Sequence, residues 1–239
     1  MSAITPQSER EAHGWPAAPR DLAVLVKGTA PGKAYTAADF VVPDTPLAKA
    51  VEKYAKDNLP SQTFSHSHRV YLYSKAILAQ HFPDWKLTDE TLFLTCMLHD
   101  IGTSAHAHRD TLMSFEFYGG FLALNLIQEH GGAKAQAESV CECVIRHQDL
   151  GTTGTQTQLG AVIQLATVFD NAGLNPSLVA TATIESVVKA WPRDGWSACF
   201  AENVAEEIEL KPWCHSTHIE NFSGLIMANK LMEPYDAKL

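Results

Sequence analysis

Between Pro83 and Pro176 the chain contains no proline, whereas six of its twelve prolines fall at positions 6, 16, 19, 31, 43 and 46. Proline removes a backbone donor and breaks helix interiors, so this distribution divides the chain. Residues 1–45 read as an extended, partly loose N-terminal arm, and residues 46–239 as one domain. Within the domain the punctuation is helical. Thr45-Pro46 is a capping residue followed by proline at the first helical position, and it opens a helix with Leu47, Val51, Tyr54 and Ala55 on one face. Further helices are expected over about 61–82, 88–102, 112–130, 133–148 and 157–172, with weaker patterns over 181–191, 197–209 and 217–231. No alternating strand pattern bounded by turns is present, and no repeat of fixed period. The fold class expected is all-α.

Composition removes several functions. The 239 residues carry 18 Lys+Arg against 27 Asp+Glu, a net charge of −9. A nucleic-acid binder shows the opposite balance. No apolar run approaches the roughly 20 residues a membrane helix requires. The opening residues, Met-Ser-Ala-Ile-Thr, lack the basic and apolar regions of an export signal. Five cysteines, scattered at 96, 141, 143, 199 and 214, then read as reduced thiols of a cytoplasmic protein. Histidine is the unusual count, at 11. It is the commonest metal ligand and the side chain that titrates near neutral pH, so a metal or acid–base site is the first thing to seek.

Four residues answer that search. His66 lies on the apolar stripe Val70, Tyr73, Ile77 of its helix, and a buried imidazole needs a partner. His99-Asp100 closes the run Leu92-Phe93-Leu94-Thr95-Cys96-Met97-Leu98, just before Gly102. Asp170 ends the apolar run Ala161–Phe169, where an ionised carboxylate needs a cation or a hydrogen-bond network. Two imidazoles and two carboxylates form a donor set suited to Zn²⁺ or Fe²⁺.

The order His66…His99-Asp100…Asp170 resembles the HD superfamily of helical metal-dependent enzymes. The flanking residues are more specific. Ser65-His66-Ser67-His68-Arg69-Val70, Leu98-His99-Asp100-Ile101-Gly102-Thr103, Met113-Ser114-Phe115-Glu116-Phe117-Tyr118-Gly119-Gly120, Ile145-Arg146-His147-Gln148-Asp149 and Phe169-Asp170-Asn171-Ala172-Gly173 resemble the fungal cyanamide hydratases. Trp191-Pro192-Arg193 and Lys211-Pro212-Trp213-Cys214-His215-Ser216-Thr217-His218 do so too. The resemblance spans about residues 50–235 and departs from the family at Ser65 and His68. It implies an HD-type helical bundle behind an N-terminal arm, a zinc-dependent hydro-lyase, and hydration of the nitrile of cyanamide to urea. A bound metal ion would lower the pKa of its water and supply hydroxide at neutral pH.

The reaction needs two proton transfers, so a general acid–base group is expected beside the metal. His147 is the first candidate and Glu116, in the aromatic setting Phe115-Glu116-Phe117-Tyr118, the second. A carboxylate there is expected to have a raised pKa; pairing with an arginine is the alternative. Asn171 and Thr167 are expected to orient the substrate. His66, His99, Asp100 and Asp170 are the expected metal ligands, with Asp100 also catalytic. His68, about 200° round the helix from His66, is expected to face away.

Other features read as structural. Cys141 and Cys143 are assigned to packing, His106 and His108 to a solvated loop, and Pro212-Trp213 to packing or capping. Cys214-His215-x-x-His218 lacks an apparent carboxylate partner for a second metal cluster. Arg69, Arg109 and Arg146 are expected to pair with the surplus acids. The rival function is an HD-type phosphohydrolase acting on a nucleotide or small phosphate ester, which would need cationic clamps. No lysine lies within ten residues of His99-Asp100. An all-α domain with an arm is able to form a homo-oligomer.

Overall fold

The computed structural model describes residues 5–236, with the side chains at 105 and 106 outside the description. The elements in chain order are α1 (Gln7–Ala12), β1 (Ala17–Pro19), α2 (Leu22–Leu25), α3 (Pro46–Asn58), α4 (Ser61–His81), α5 (Asp89–Leu98), α6 (Ala105–Arg109), α7 (Phe115–Glu129), α8 (Lys134–Arg146), β2 (Thr155–Thr157), α9 (Gln158–Ala172), α10 (Thr181–Ala190), α11 (Trp196–Leu210) and α12 (Phe222–Met227). Among the described residues the fold is all-α apart from one short antiparallel pair. No helix among the described residues is long and apolar enough to cross a membrane.

The long helices begin where their caps allow. Thr45 accepts the Ala48 amide, Thr88 accepts Thr91 and Thr157 accepts Gly160, each satisfying a backbone donor that a helix start leaves orphaned. The middle of α4, nearly all of α5 and most of α9 are buried, and these three helices form the centre of the molecule. The α7–α8 pair packs outside them, and α11 with α12 encloses a second, smaller core of Trp196, Phe200, Val204 and Ile226.

Glycine 102 fixes how closely α7 approaches the end of α5. A Cβ there would lie 2.0 Å from the Phe115 carbonyl oxygen, so only a residue without a side chain fits. That approach brings the start of α7 against the turn that carries His99 and Asp100.

The arm is less loose than its composition suggests. Strand β1 pairs antiparallel with β2, Ala18 opposite Gln156. The Gly14 carbonyl accepts the Leu159 amide, Trp15 donates to the Ala135 carbonyl, and the Gly32 amide donates to Ser177. Further along, the Tyr35 and Ala37 amides donate to the hydroxyls of Thr183 and Ser186 on α10, and Tyr71 reaches the Val41 carbonyl. The sequence did not announce the strand pair, and these contacts tie much of the arm to the helical body. The expected helix over 217–231 also breaks: a 3-10 turn covers His215–His218, Asn221 takes a left-handed φ of 51°, and only Phe222–Met227 is α-helical.

Candidate metal and active site

Three histidines and a carboxylate converge where α4, the end of α5 and the end of α8 meet. His66 Nε2 lies 3.1 Å from His99 Nε2. Asp100 Oδ2 lies 3.1 Å from His99 Nε2 and 3.6 Å from His66 Nε2. His147 Nε2 is 3.5 Å from the other oxygen, Asp100 Oδ1. All four side chains are at most 2% exposed.

The outward nitrogens settle the protonation pattern. His99 Nδ1 donates to the Cys96 carbonyl at 2.8 Å, and His147 Nδ1 donates to the Val144 carbonyl at 2.7 Å. A carbonyl can only accept, so in each neutral ring the proton sits on Nδ1 and Nε2 presents a lone pair. His66 Nδ1 donates likewise to Asp170 Oδ2 at 2.6 Å. Three Nε2 lone pairs thus face a carboxylate neither of whose oxygens has an aligned hydrogen-bond donor. A buried group of acceptors is costly without a cation among them. Burial opposes charge on His99, but Asp100 overrides it and raises the imidazole pKa. Burial also works against the charge on Asp100, yet His99, His147 and His66 hold its carboxyl well below the usual carboxylate range. The donor set His66, His99, Asp100 therefore fits a divalent ion, and their ligand atoms lie within 4.8 Å of one another.

Asp170, expected from sequence as a fourth metal ligand, stands behind His66 on the Nδ1 side of the ring rather than among those three donor atoms. Its two oxygens are taken up by guanidinium groups as well. Arg69 donates through Nε and a terminal nitrogen, the latter at 3.0 Å from Oδ2, and Arg193 donates to Oδ1 at 2.6 Å. Burial opposes its charge, but Arg69 and Arg193 keep its carboxyl far below the ordinary range. Asp170 thus aims His66, whose ring is also stacked on Trp196 with centroids 4.3 Å apart. Burial pushes the His66 pKa down to about 4 against the pull of Asp170.

A small cavity of about 60 Å³ opens beside His147. Thr167, Asn171 and Gln148 line it with His147, and Val168, Leu174, Ile219 and Phe222 contribute apolar wall. Three of the residues expected from sequence therefore share one cavity. The Asn171 carbonyl oxygen accepts from Trp196 Nε1 at 2.8 Å, and Thr167 Oγ1 donates to the Gln164 carbonyl at 3.2 Å.

Glu116 belongs to a different network. It is fully buried, its Oε1 accepts from His215 Nδ1 at 2.8 Å, and its Oε2 has no hydrogen-bond partner. The partner is thus a histidine, not the arginine considered as the alternative. His68 turns away from the cluster: its ring stacks on Trp191 at 3.7 Å between centroids, and burial lowers its pKa to about 4. Arg109 pairs with Glu206, and Arg146 with Glu142 and Asp149.

Several readings are corrected. His108 is not solvated but buried, at 6% exposure, while the His106 side chain lies outside the described residues. Trp213, expected to pack or cap, is 60% exposed and donates to the Leu112 carbonyl at 2.9 Å. His215 and His218 do have a carboxylate neighbour, Asp149. Sequence reasoning missed Arg193, Trp196 and the wall from Ile219 and Phe222. The sequence signals for Arg193 were the motif Trp191-Pro192-Arg193 and Asp170, a carboxylate that required positive company.

Residues 63–172 match the HD domain family, an interval that includes every residue of the cluster and the polar side of the cavity. Two curated Saccharomyces cerevisiae proteins, Cyanamide hydratase DDI2 and Cyanamide hydratase DDI3, are each 41% identical to the chain over 189 residues, covering 78% of this chain and 84% of theirs.

Proposed function

The chain belongs to the HD-domain cyanamide hydratases, and from that membership we infer that it hydrates cyanamide, H₂N–C≡N, to urea. The observation that carries the reading is the placement of His147. One side of it approaches Asp100, and the same side chain lines the cavity that holds Thr167 and Asn171.

His66 Nε2, His99 Nε2 and an Asp100 oxygen would hold the ion, Zn²⁺ in our reading, with Fe²⁺ suited by the same donors. Such an ion supplies activation of water for attack on the nitrile carbon at neutral pH. Asp170 fixes the direction of His66 through its Nδ1 proton, as carboxylates commonly do for metal-binding histidines. His147 carries the protons. Its Nδ1 is committed to the Val144 carbonyl, so only Nε2 exchanges; it accepts a proton from the attacking water and returns one to the nitrile nitrogen. The isourea formed first then tautomerises to urea. This role falls to His147 rather than Glu116, because His147 reaches both Asp100 and the cavity whereas Glu116 is bonded to His215.

The other polar wall residues position the substrate. Thr167 spends its proton on the Gln164 carbonyl, leaving its oxygen lone pairs to accept from the cyanamide amino group. Trp196 occupies the Asn171 carbonyl oxygen, leaving the amide Nδ2 as the donor available to the nitrile nitrogen. A volume of about 60 Å³ suits a molecule of three heavy atoms. Arg69, Arg109 and Arg146 are all engaged by carboxylates, which argues against the phosphohydrolase alternative. Cys96, Cys141, Cys143 and Cys214 form no disulfide, which suits the reducing cytoplasm we propose.

The test is direct. Purified protein is mixed with cyanamide and urea is measured, alongside a panel of nucleotides assayed for released phosphate. Urea without phosphate is the expected result; phosphate without urea from metal-replete protein overturns the reading. Metal analysis should give one ion at this cluster, lost in His66→Ala and in His99→Ala.

A further inference from the structure

Outside that cluster, one other group of side chains among the described residues repeats its arrangement. His215 and His218 sit in the 3-10 turn after α11, and Asp149 follows the end of α8. His218 Nδ1 donates to the His215 carbonyl at 2.6 Å, so His218 Nε2 bears the lone pair. His215 Nδ1 donates to Glu116 Oε1, so its Nε2 also bears a lone pair and lies 3.8 Å from Asp149 Oδ1. The two rings stack with centroids 4.2 Å apart and planes 18° off parallel. One ligand atom from each of Asp149, His215 and His218 falls within 4.8 Å of the other two.

We propose that His215, His218 and Asp149 form a second divalent transition-metal site at the rim of the cavity, with the buried Glu116 orienting His215. The parallel with the deep cluster is chemical. In both, a buried carboxylate holds a histidine by Nδ1 and aims its Nε2 at an ionised oxygen and a second bare imidazole. Two imidazoles and one carboxylate select a borderline ion such as Zn²⁺, Co²⁺ or Ni²⁺ over Mg²⁺, which prefers oxygen ligands throughout.

The site has a built-in competitor. Arg20 of the arm donates to Asp149 Oδ1 at 2.5 Å and to the Asp149 carbonyl. An incoming ion has to share or displace that guanidinium, so affinity is lower than at the deep cluster. Its location gives it a consequence. Gln148 and Leu150 flank Asp149, and Ile219 follows His218; all three line the cavity. An ion there ties together the two segments that form one wall of the substrate cavity. The inference does not depend on the identity of the substrate.

The experiment uses tag-free, full-length protein dialysed against Zn²⁺ in the presence of excess Mg²⁺, followed by metal analysis. Two ions per chain are expected, falling to one in His218→Ala, whose exposed side chain can be removed without disturbing the core. His99→Ala should lose the deep ion and keep the rim ion. Arg20→Gln should tighten the second ion several-fold. With Zn²⁺ in the deep site, added Co²⁺ should give visible absorption bands that His218→Ala abolishes. One ion per chain in the wild type, two retained by His218→Ala, or weaker binding in Arg20→Gln each overturns the rim site. The His99→Ala result reports separately on the deep one.

Discussion

His66 and Asp170 meet at 2.6 Å through the Nδ1 edge of the imidazole, and this leaves the ring's other nitrogen to face His99. The contact is one of three that the Asp170 carboxylate makes, with His66, Arg69 and Arg193, each of them at 0% side-chain exposure. Removing the charge of Asp170 strands Arg69 and Arg193 in the interior. Breaking a buried pair from one side costs about 3–5 kcal/mol. For a chain of this size that corresponds to a fall in Tm of roughly 6–20 °C. Asp170→Asn should show that drop by calorimetry. A change within about 2 °C would mean that the two arginines find other acceptors.

Replacing His147 should separate chemistry from metal binding. Its Nε2 approaches Asp100, but its proposed task is proton transfer in the cavity. His147→Gln is expected to retain one deep ion per chain while kcat for urea formation falls about 10²- to 10⁴-fold, the usual contribution of a general acid–base group. Loss of the ion would instead make His147 a ligand.

His108 gives a pH prediction. It is buried, neither ring nitrogen has a partner, and burial pushes its pKa below 6.5. Glu206 pulls it upward, while Lys211 and Arg109 push it further down. The unfolded chain takes up a proton near pH 6.5 and the folded chain resists it, so stability is lost as pH falls through that value. His108→Leu should raise Tm at about pH 6, where relief of the unpaired nitrogens is worth about 1–3 kcal/mol. It should also flatten the dependence of Tm on pH on the acid side. An unchanged slope in the variant would assign that dependence elsewhere.

Gly14 tests the arm. Its φ of +71° lies in the left-handed region, and a Cβ would come within 2.8 Å of the Leu159 Cβ. Gly14→Ala should cost about 1–2 kcal/mol from backbone conformation alone, with the contact adding to it. Limited proteolysis should then cut within the first 45 residues before it cuts the helical body. An uncut arm would show that the strand pair holds it without Gly14.

The long helices were legible because their ends carry local chemistry. Thr45-Pro46 and the acidic start at Asp89-Glu90 put α3 and α5 within a residue or two of their observed starts. The His66, His99 and Asp100 cluster was legible because polar side chains on apolar helices require company. Local pattern does not reach the rest. The partners of Asp170 come from Arg69 and Arg193, 101 and 23 residues away in sequence, and no spacing rule links them. Strands β1 and β2 are three residues each, too short to show alternation, and one contains Pro19. The break at Asn221 depends on a backbone conformation that its neighbours do not announce.

Arg20 and Asp149 lie 129 residues apart in sequence. At about 5–20 residues per second of synthesis, the arm emerges roughly 6–26 seconds before the segment it grips. During that interval β1 has no strand to pair with and Trp15 has no carbonyl to meet. The arm around Arg20 is therefore among the last segments to find its place, and the cavity wall around Asp149 is finished only when it does. A nascent chain released with its arm unpaired would carry the helices that bring the ligands together before it carries the wall that surrounds the substrate.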